Sequence, residues 1–315
     1  MGGQCVPATI HRGSMASSPT GEYQQGKRSD RVPGVHIDAV RVQATMKQDV
    51  NCLQVRKKTV AIQAVDADGH PLPGASVSIQ QKRSGFPLGC AIASTILQNS
   101  AYQSWFTSRF TVATFENEMK WYANEREQGK EQYADADAML AFAKQHGIAV
   151  RGHNVVWNDP QDVQSWVRSL PTEQLGEAVN RRFNSVMPRY RGQVIAWDVV
   201  NENIHFSYFE SKLGKNASSI FYQQAHQLDP NALMFLNDYN TLEAPVDGNV
   251  TPEKYLQRLW QIQSFGNLSR MAIGLEGHFD VPDIAYMRSA LDKLAGANVP
   301  IWLTEVDVAH PNEVQ

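Results

Sequence analysis

The 315-residue chain has little charge of either sign to spare: 29 Lys and Arg against 32 Asp and Glu leave a formal net charge of −3. Without a basic surplus it has nothing to hold a phosphate backbone or an anionic lipid surface, so nucleic acid and membrane are not expected as partners. Cysteine is scarce as well. Cys5, Cys52 and Cys90 lie far apart and form no CxxC pair, so neither a cysteine-based zinc site nor a disulfide framework is readable. No run of about 18 apolar residues exists, and residues 1–30, rich in Gly, Ser and Gln, lack the apolar centre of a signal peptide. A repeat of fixed period is also missing, which sets solenoids and propellers aside.

What is present is an ordinary globular composition, 42% hydrophobic and 19% charged, in a length that suits one large domain and a smaller appendage. Residues 1–34 carry no periodic pattern and are expected to be a disordered tail. Residues 35–85 read as a β-rich extension. VHIDAVRV alternates apolar and polar from Val35 to Val42, while TVAIQAV and ASVSIQQ flank the turn-rich DADGHPLPG as a predicted β-hairpin. From Phe86 the rhythm changes to short apolar segments between longer helical ones, the pattern of βαβ units and a parallel sheet. Strands are predicted near 86–91, 112–115, 149–152, 194–199, 233–237, 272–275 and 301–304. Helices are predicted near 102–109, 134–146, 171–189, 219–227, 252–266 and 283–297. After Thr304 only eleven residues remain, so if residues 86–315 form a barrel, its eighth strand is missing.

Chemistry gathers at the ends of these strands. WDVVNE ends an apolar strand in Asn201 and Glu202, and IWLTEVDV does the same with Glu305. Parallel barrels present the C-terminal ends of their strands to the active site, so both carboxyls would face one mouth. Such a pair is what glycosidic cleavage needs: one carboxyl protonates the leaving oxygen, and the other attacks or activates water. A partly desolvated Glu202 would hold its proton near neutrality, as an acid must. Further polar and aromatic groups recur at strand ends: Glu116, Asn117, Lys120 and Trp121 in FENEMKW, His153, Asn154 and Trp157 in GHNVVW, Asn237 and Tyr239 in NDYN, Glu276 and His278 in LEGHF. Taken singly, each reads more simply as a core His, a core aromatic or a solvated charge. Taken together they make a face suited to a neutral sugar, with hydrogen bonds for hydroxyls and indoles for ring faces.

FENEMKW, GHNVVW, WDVVNE, NDYN and WLTEVDV, in this order over residues 86–308, resemble the family 10 glycoside hydrolases, the endo-β-1,4-xylanases, and in particular their plant members. The resemblance implies a (β/α)8 barrel and retaining hydrolysis of xylan or xylo-oligosaccharide through a covalent glycosyl-enzyme, with no metal and no cofactor. It implies Glu202 as acid/base and Glu305 as nucleophile. By the same matching, Asn201 holds the 2-hydroxyl of the sugar being cleaved, Lys120, His153 and Trp157 line its pocket, and Glu116 and Asn117 reach the next sugar outward. Tyr239 lines the cleft, and His278 hydrogen-bonds the nucleophile while Asp307 orients that imidazole. A monomer acting on cell walls outside the cell is implied too. The chain departs from the pattern at Asn158, where many bacterial members carry a second His, and at Glu276, where many carry Gln. It also lacks the loop after strand 8 whose tryptophans roof the cleft. PGVHIDAVRVQ resembles the closing strand of family 22 carbohydrate-binding modules. Two other readings stay open: a xylan-binding product without turnover, and a related β-1,4-glucanase.

Overall fold

The computed structural model describes residues 59–79 and 86–309, apart from 67, 244–246 and 267, together with the backbone of four earlier strands. The chain divides into two units, one ending at Pro87 and the other starting at Leu88. The first holds β1 (Ala8–His11), β2 (Ala16–Ser17), β3 (Tyr23–Gln24), β4 (Val40–Thr45), β5 (Thr59–Ala64) and β6 (Ser76–Ile79). β1 pairs antiparallel with β2 and β6, β2 with β3, and β4 with β5. The tail expected over 1–34 thus lies mostly outside the described residues, and the stretches described within it are strands β1 to β3.

The predicted hairpin is confined to its turn. Val65 bridges Pro71, and the Asp66 carboxylate accepts the backbone N–H groups of Asp68 and His70. Beyond that turn, β5 pairs with β4 and β6 with β1. Within the turn Leu72 N–H donates to Ala64 O and Asp66 N–H to His70 O, and the pairing goes no further.

The second unit is a curled sheet of seven parallel strands: β7 (Gly89–Ile92), β8 (Val112–Phe115), β9 (Ala149–Trp157), β10 (Ala196–Asn201), β11 (Leu233–Asp238), β12 (Met271–Phe279) and β13 (Ile301–Val308). Each pairs with its sequence neighbours, as in a (β/α) barrel. Among the described residues no eighth strand joins β13 back to β7, so both are edges. All seven predicted strands are present. β9, β12 and β13 run several residues further than expected, because His153, Glu276 and Glu305 continue the ladder instead of ending it.

The crossovers hold α1 (Ser100–Thr107), α2 (Trp121–Asn124), α3 (Ala134–Gln145), α4 (Ser165–Arg168), α5 (Thr172–Tyr190), α6 (Tyr208–Leu213), α7 (Ala217–Leu228), α8 (Pro252–Gly266) and α9 (Ile284–Leu294). The six longer predicted helices correspond to α1, α3, α5, α7, α8 and α9. α2, α4 and α6 were not read, since four to six residues are too few to show a period. α5 illustrates the packing logic. Leu175, Ala178, Val179, Arg182, Phe183, Val186 and Met187 recur at helical spacing and are all buried against the sheet. Pro171 caps this helix from outside, one residue before the position the sequence suggested.

The core lies between sheet and helices, and two glycines set how closely its parts approach. A Cβ on Gly152 would fall 2.3 Å from the Trp197 ring, and one on Gly274 would fall 2.5 Å from Asn237 Oδ1. Gly274 therefore makes room for an amide that the candidate site uses.

Candidate active site

Asn201 closes β10 and Glu202 follows it with φ +53°, in the left-handed region that an L residue occupies only at a cost of roughly 1–2 kcal/mol. That backbone is held on both sides: the Glu202 N–H donates to Asn237 O at 2.9 Å, and Phe206 N–H donates to Glu202 O at 3.0 Å. The twist aims a carboxyl that is only 9% exposed toward the mouth of the sheet. Burial raises its pKa to about 7. The charges of Asp238, Asp159 and Glu305 add to the rise, and Trp157 offsets part of it. Among the described residues the Trp157 indole N–H meets no acceptor at hydrogen-bonding geometry.

Glu305 stands on β13 with its side chain 36% exposed, opposite Glu276 on β12 in the strand register, just as Asp307 stands opposite His278. His278 Nε2 lies 3.7 Å from one carboxylate oxygen of Glu305 and 3.7 Å from one of Glu276, while its Nδ1 is 2.8 Å from Asp307. Glu276, Asp307 and Glu305 together raise the His278 pKa to about 9 against the effect of burial. Glu276 is 3% exposed, and burial pushes its own pKa up to about 8. Donor atoms of Glu276, His278 and Glu305 fall within 4.8 Å of one another, a set able to hold a cation; Asp66, Asp68 and His70 form another in the first unit.

An amide bridge joins the two carboxyl regions. Asn237 Nδ2 donates to Asn201 Oδ1 at 2.9 Å and to Glu276 Oε1 at 2.7 Å, and its Oδ1 accepts from Thr304. On the other side, His153 Nδ1 lies 2.7 Å from Asp198, which also pairs with Arg151; all three are buried. Lys120 is buried with its ammonium 4.6 Å above the Trp157 ring, and burial lowers its pKa. Glu116 and Asn117 are exposed just beyond β8, with Asn117 Oδ1 accepting from the Tyr122 hydroxyl. Tyr239 lies flat on His205 at 3.7 Å.

Every residue singled out in the sequence therefore lies at or just beyond the C-terminal half of a strand. Trp121 alone turns inward, donating to Glu125 and packing edge-on against Trp166. Sequence reasoning missed several supports. Arg182 on α5 is buried and donates to the carbonyls of Val155, Asn154 and Met119, tying strand β9 to the loop after β8. His205 is clamped between Asp238 and Asp247, two hydrogen bonds that outweigh burial and raise it to about 8. Asn158, the departure after Trp157, latches the Glu202 loop: its amide donates to Phe206 O and Glu210, and it accepts from Phe209 N–H. Only Asp198 left a signal, a charge inside the apolar run AWDVVN.

The sequence profile of glycosyl hydrolase family 10 matches residues 76–315. The chain belongs to glycosyl hydrolase family 10. Proteins similar to it include two of Arabidopsis thaliana. Endo-1,4-beta-xylanase 5 is 46% identical over 85% of this chain and 48% of its own length. Endo-1,4-beta-xylanase 4 is 40% identical over 95% of this chain and 55% of its own. The chain thus spans about half the length of the curated relatives it matches. A similar fold is seen in xylanase XynB from Paenibacillus barcinonensis, complexed with a conduramine derivative, at TM-score 0.64 and 27% identity over 73% of this chain and 72% of that one.

Proposed function

We propose that this chain carries the cleavage site of a retaining endo-β-1,4-xylanase. Glu202 protonates the leaving glycosidic oxygen while Glu305 attacks the anomeric carbon, giving a covalent glycosyl-enzyme. Glu202, now a base, takes a proton from water as that water displaces Glu305. The observation that carries this reading is the contrast between two carboxyls on one sheet face: burial keeps Glu202 protonated to about pH 7, while Glu305 is open to the cleft beside the imidazole of His278. Asn201, set by Asn237, is placed for the sugar's 2-hydroxyl, and Lys120, His153 and Trp157 for the same sugar. Glu116 and Asn117 serve the next sugar outward, and Tyr239 lines the far side. Action of a monomer on wall xylan outside the cell belongs to the same proposal.

The test is hydrolysis of xylotetraose followed by proton NMR. The β-anomer is expected to appear first, and Glu305→Ala is expected to lower turnover by roughly 10⁴-fold or more while binding persists, since a covalent nucleophile has no substitute. Unchanged turnover in that variant would remove Glu305 from the mechanism, and faster cleavage of cello-oligosaccharide would replace xylan with β-1,4-glucan.

A second reading, binding of xylan without turnover, draws on a 36% identical relative named Anti-sigma-I factor RsgI6, from Acetivibrio thermocellus, a name that states no hydrolysis. Oligosaccharide binding by calorimetry with no product formed would establish it.

A further inference from the structure

His205 is a titratable group that no step of the cleavage uses, yet it is held at both ring nitrogens and across one face. It follows Glu202 by three residues in the turn after β10, and its side chain is 8% exposed. Nδ1 meets Asp238 Oδ1 at the end of β11, and Nε2 lies 3.1 Å from Asp247 Oδ2 in the connection from β11 to α8. Tyr239 covers the ring, parallel to it at 3.7 Å. The two carboxylates organise what surrounds them. Asp238 accepts the N–H groups of Ile204 at 2.6 Å and Tyr239 at 3.0 Å, while Asp247 accepts the Asn240 amide at 2.8 Å and the Asn249 N–H at 2.9 Å. A carboxylate oxygen accepts, so each ring nitrogen must carry a hydrogen, and only the imidazolium has both. A neutral ring would turn a lone pair toward one of the two carboxylates.

We propose that the His205 imidazolium is a positioning residue for the leaving-group side of the cleft, fixing Tyr239 and the Asp247 connection against the turn that carries Glu202. This deepens the xylanase reading and rests on it for its catalytic consequence. The sheet order β8, β9, β10, β11 puts Tyr239 on the far side of Glu202 from Glu116 and Asn117, which is the side of the sugar whose oxygen Glu202 protonates. A Tyr239 ring fixed by a stacked cation offers that sugar a wall in one orientation, at a smaller entropic cost when the sugar binds. Loss of the ring proton frees Asp247 first, because Asp238 is fully buried and keeps two backbone donors, whereas Asp247 is the more exposed partner.

The groups facing the ring agree with a retained charge. From β11 come Asp238 and the Tyr239 ring, from the connection to α8 comes Asp247, and Glu202 stands on the same turn. Asp247 is held ionised down to about pH 2 by the Asn240 amide, the Asn249 N–H and His205. Burial pushes Asp238 the other way, toward a proton, but His205, Ile204 and Tyr239 bring three donors to its two oxygens, the arrangement of an ionised carboxylate. The Tyr239 hydroxyl stays protonated, since burial and the charges of Glu202, Asp238, Asp247 and Glu276 raise it to about 12. Burial opposes a charge on His205 itself, and the bonds to Asp238 and Asp247 outweigh it, raising the ring to about 8.

Two measurements test this on the whole chain. In the first, imidazole rings labelled with ¹⁵N are titrated by NMR. The expected result is one histidine that keeps both ring protons up to about pH 8, vanishes in His205→Phe and titrates at lower pH in Asp247→Asn. If the ring that His205→Phe removes is neutral at about pH 7, the proposal is overturned, whatever the chain's activity. Should His205→Phe not fold, the resonance that moves in Asp247→Asn identifies the ring. The second measurement reads the leaving-group side directly. An aryl xylobioside forms the glycosyl-enzyme, and added xylobiose then competes with water: either hydroxyl attacks the anomeric carbon, the bond to Glu305 breaks with its electron pair, and the proton passes to Glu202. Both routes use Glu202 alike, so the ratio of sugar transfer to hydrolysis reports how well the acceptor sugar is held. In wild type this ratio is expected to fall as pH rises through about 8, and in Asp247→Asn to fall at a lower pH. In His205→Phe it is expected to be roughly tenfold lower, the weight of one hydrogen bond to a charged group, and to lose its pH dependence. A ratio unchanged in both variants, or the wild-type pH profile retained in Asp247→Asn, would overturn the proposal. No turnover by the wild-type chain would count against the xylanase reading and leave the NMR result to decide the state of His205.

Discussion

Glu202 just beyond β10 and Glu305 on β13 belong to one parallel sheet, but their surroundings differ in kind. β10 is flanked by β9 and β11 and all six of its residues are buried, whereas β13 has one neighbour among the described residues and no buried residue. The interior carboxyl is wrapped by Asn201, Trp157, the Asn158 latch and the His205 clamp. The edge carboxyl lies beside the chain of Glu276, His278 and Asp307. One sheet geometry thus yields a shielded acid and an accessible carboxylate, and the difference lies in desolvation more than in any single partner.

That contrast can be broken most severely from the interior side. Arg182→Met leaves Val155, Asn154 and Met119 carbonyls without their donor, and it should lower stability by about 3–5 kcal/mol, measured as a shift of the urea midpoint. A change below about 1 kcal/mol would mean that strand β9 and the loop after β8 do not depend on this guanidinium. Gly274→Ala pushes a methyl into Asn237 Oδ1 and so disturbs the one bridge between the two carboxyls. About 1–3 kcal/mol of stability should be lost, together with some activity, and a neutral result in thermal unfolding would show that Asn237 has room to move.

The pH dependence sharpens the comparison. Because the acid must keep its proton, kcat/KM on unactivated xylo-oligosaccharide should fall about tenfold per unit as pH rises above about 7. The raised pKa acts on folding in the same direction. A carboxyl that binds its proton more tightly when folded favours the folded state fully below its unfolded pKa, and this contribution is lost as pH rises through about 7. An alkaline limb near pH 5 would show that Glu202 is better solvated than its 9% exposure implies. The smallest effect is dynamic: backbone amides of β13 should exchange with solvent at least roughly tenfold faster than those of β10, and equal protection would mean that the edge is covered in solution.

Much of this was legible in the residues. Alternation of short apolar runs with helical periods located all seven parallel strands, and strand-end polarity located Glu202, Glu305 and their neighbours. The hairpin misread shows the limit of local patterns: Pro71 and Pro73 mark the turn, but which strand each flank pairs with depends on β1 and β4, far away in sequence. The supports behind the site were illegible for a related reason. Arg182 looks like one more polar residue of an amphipathic helix, and only its buried contacts with strand β9 and with the loop after β8 reveal its role. His205, Asp238 and Asp247 come from separate segments and share no spacing that a sequence could show.

By itself, then, the sequence determined which side chains reach the mouth of the sheet, because a parallel strand fixes where its last residues point. Tertiary structure alone decided what each carboxyl is there. Desolvation and the cross-strand register are properties of neighbours, and these make Glu202 an acid near neutrality, leave Glu305 open on an edge, and set Glu276 beside it.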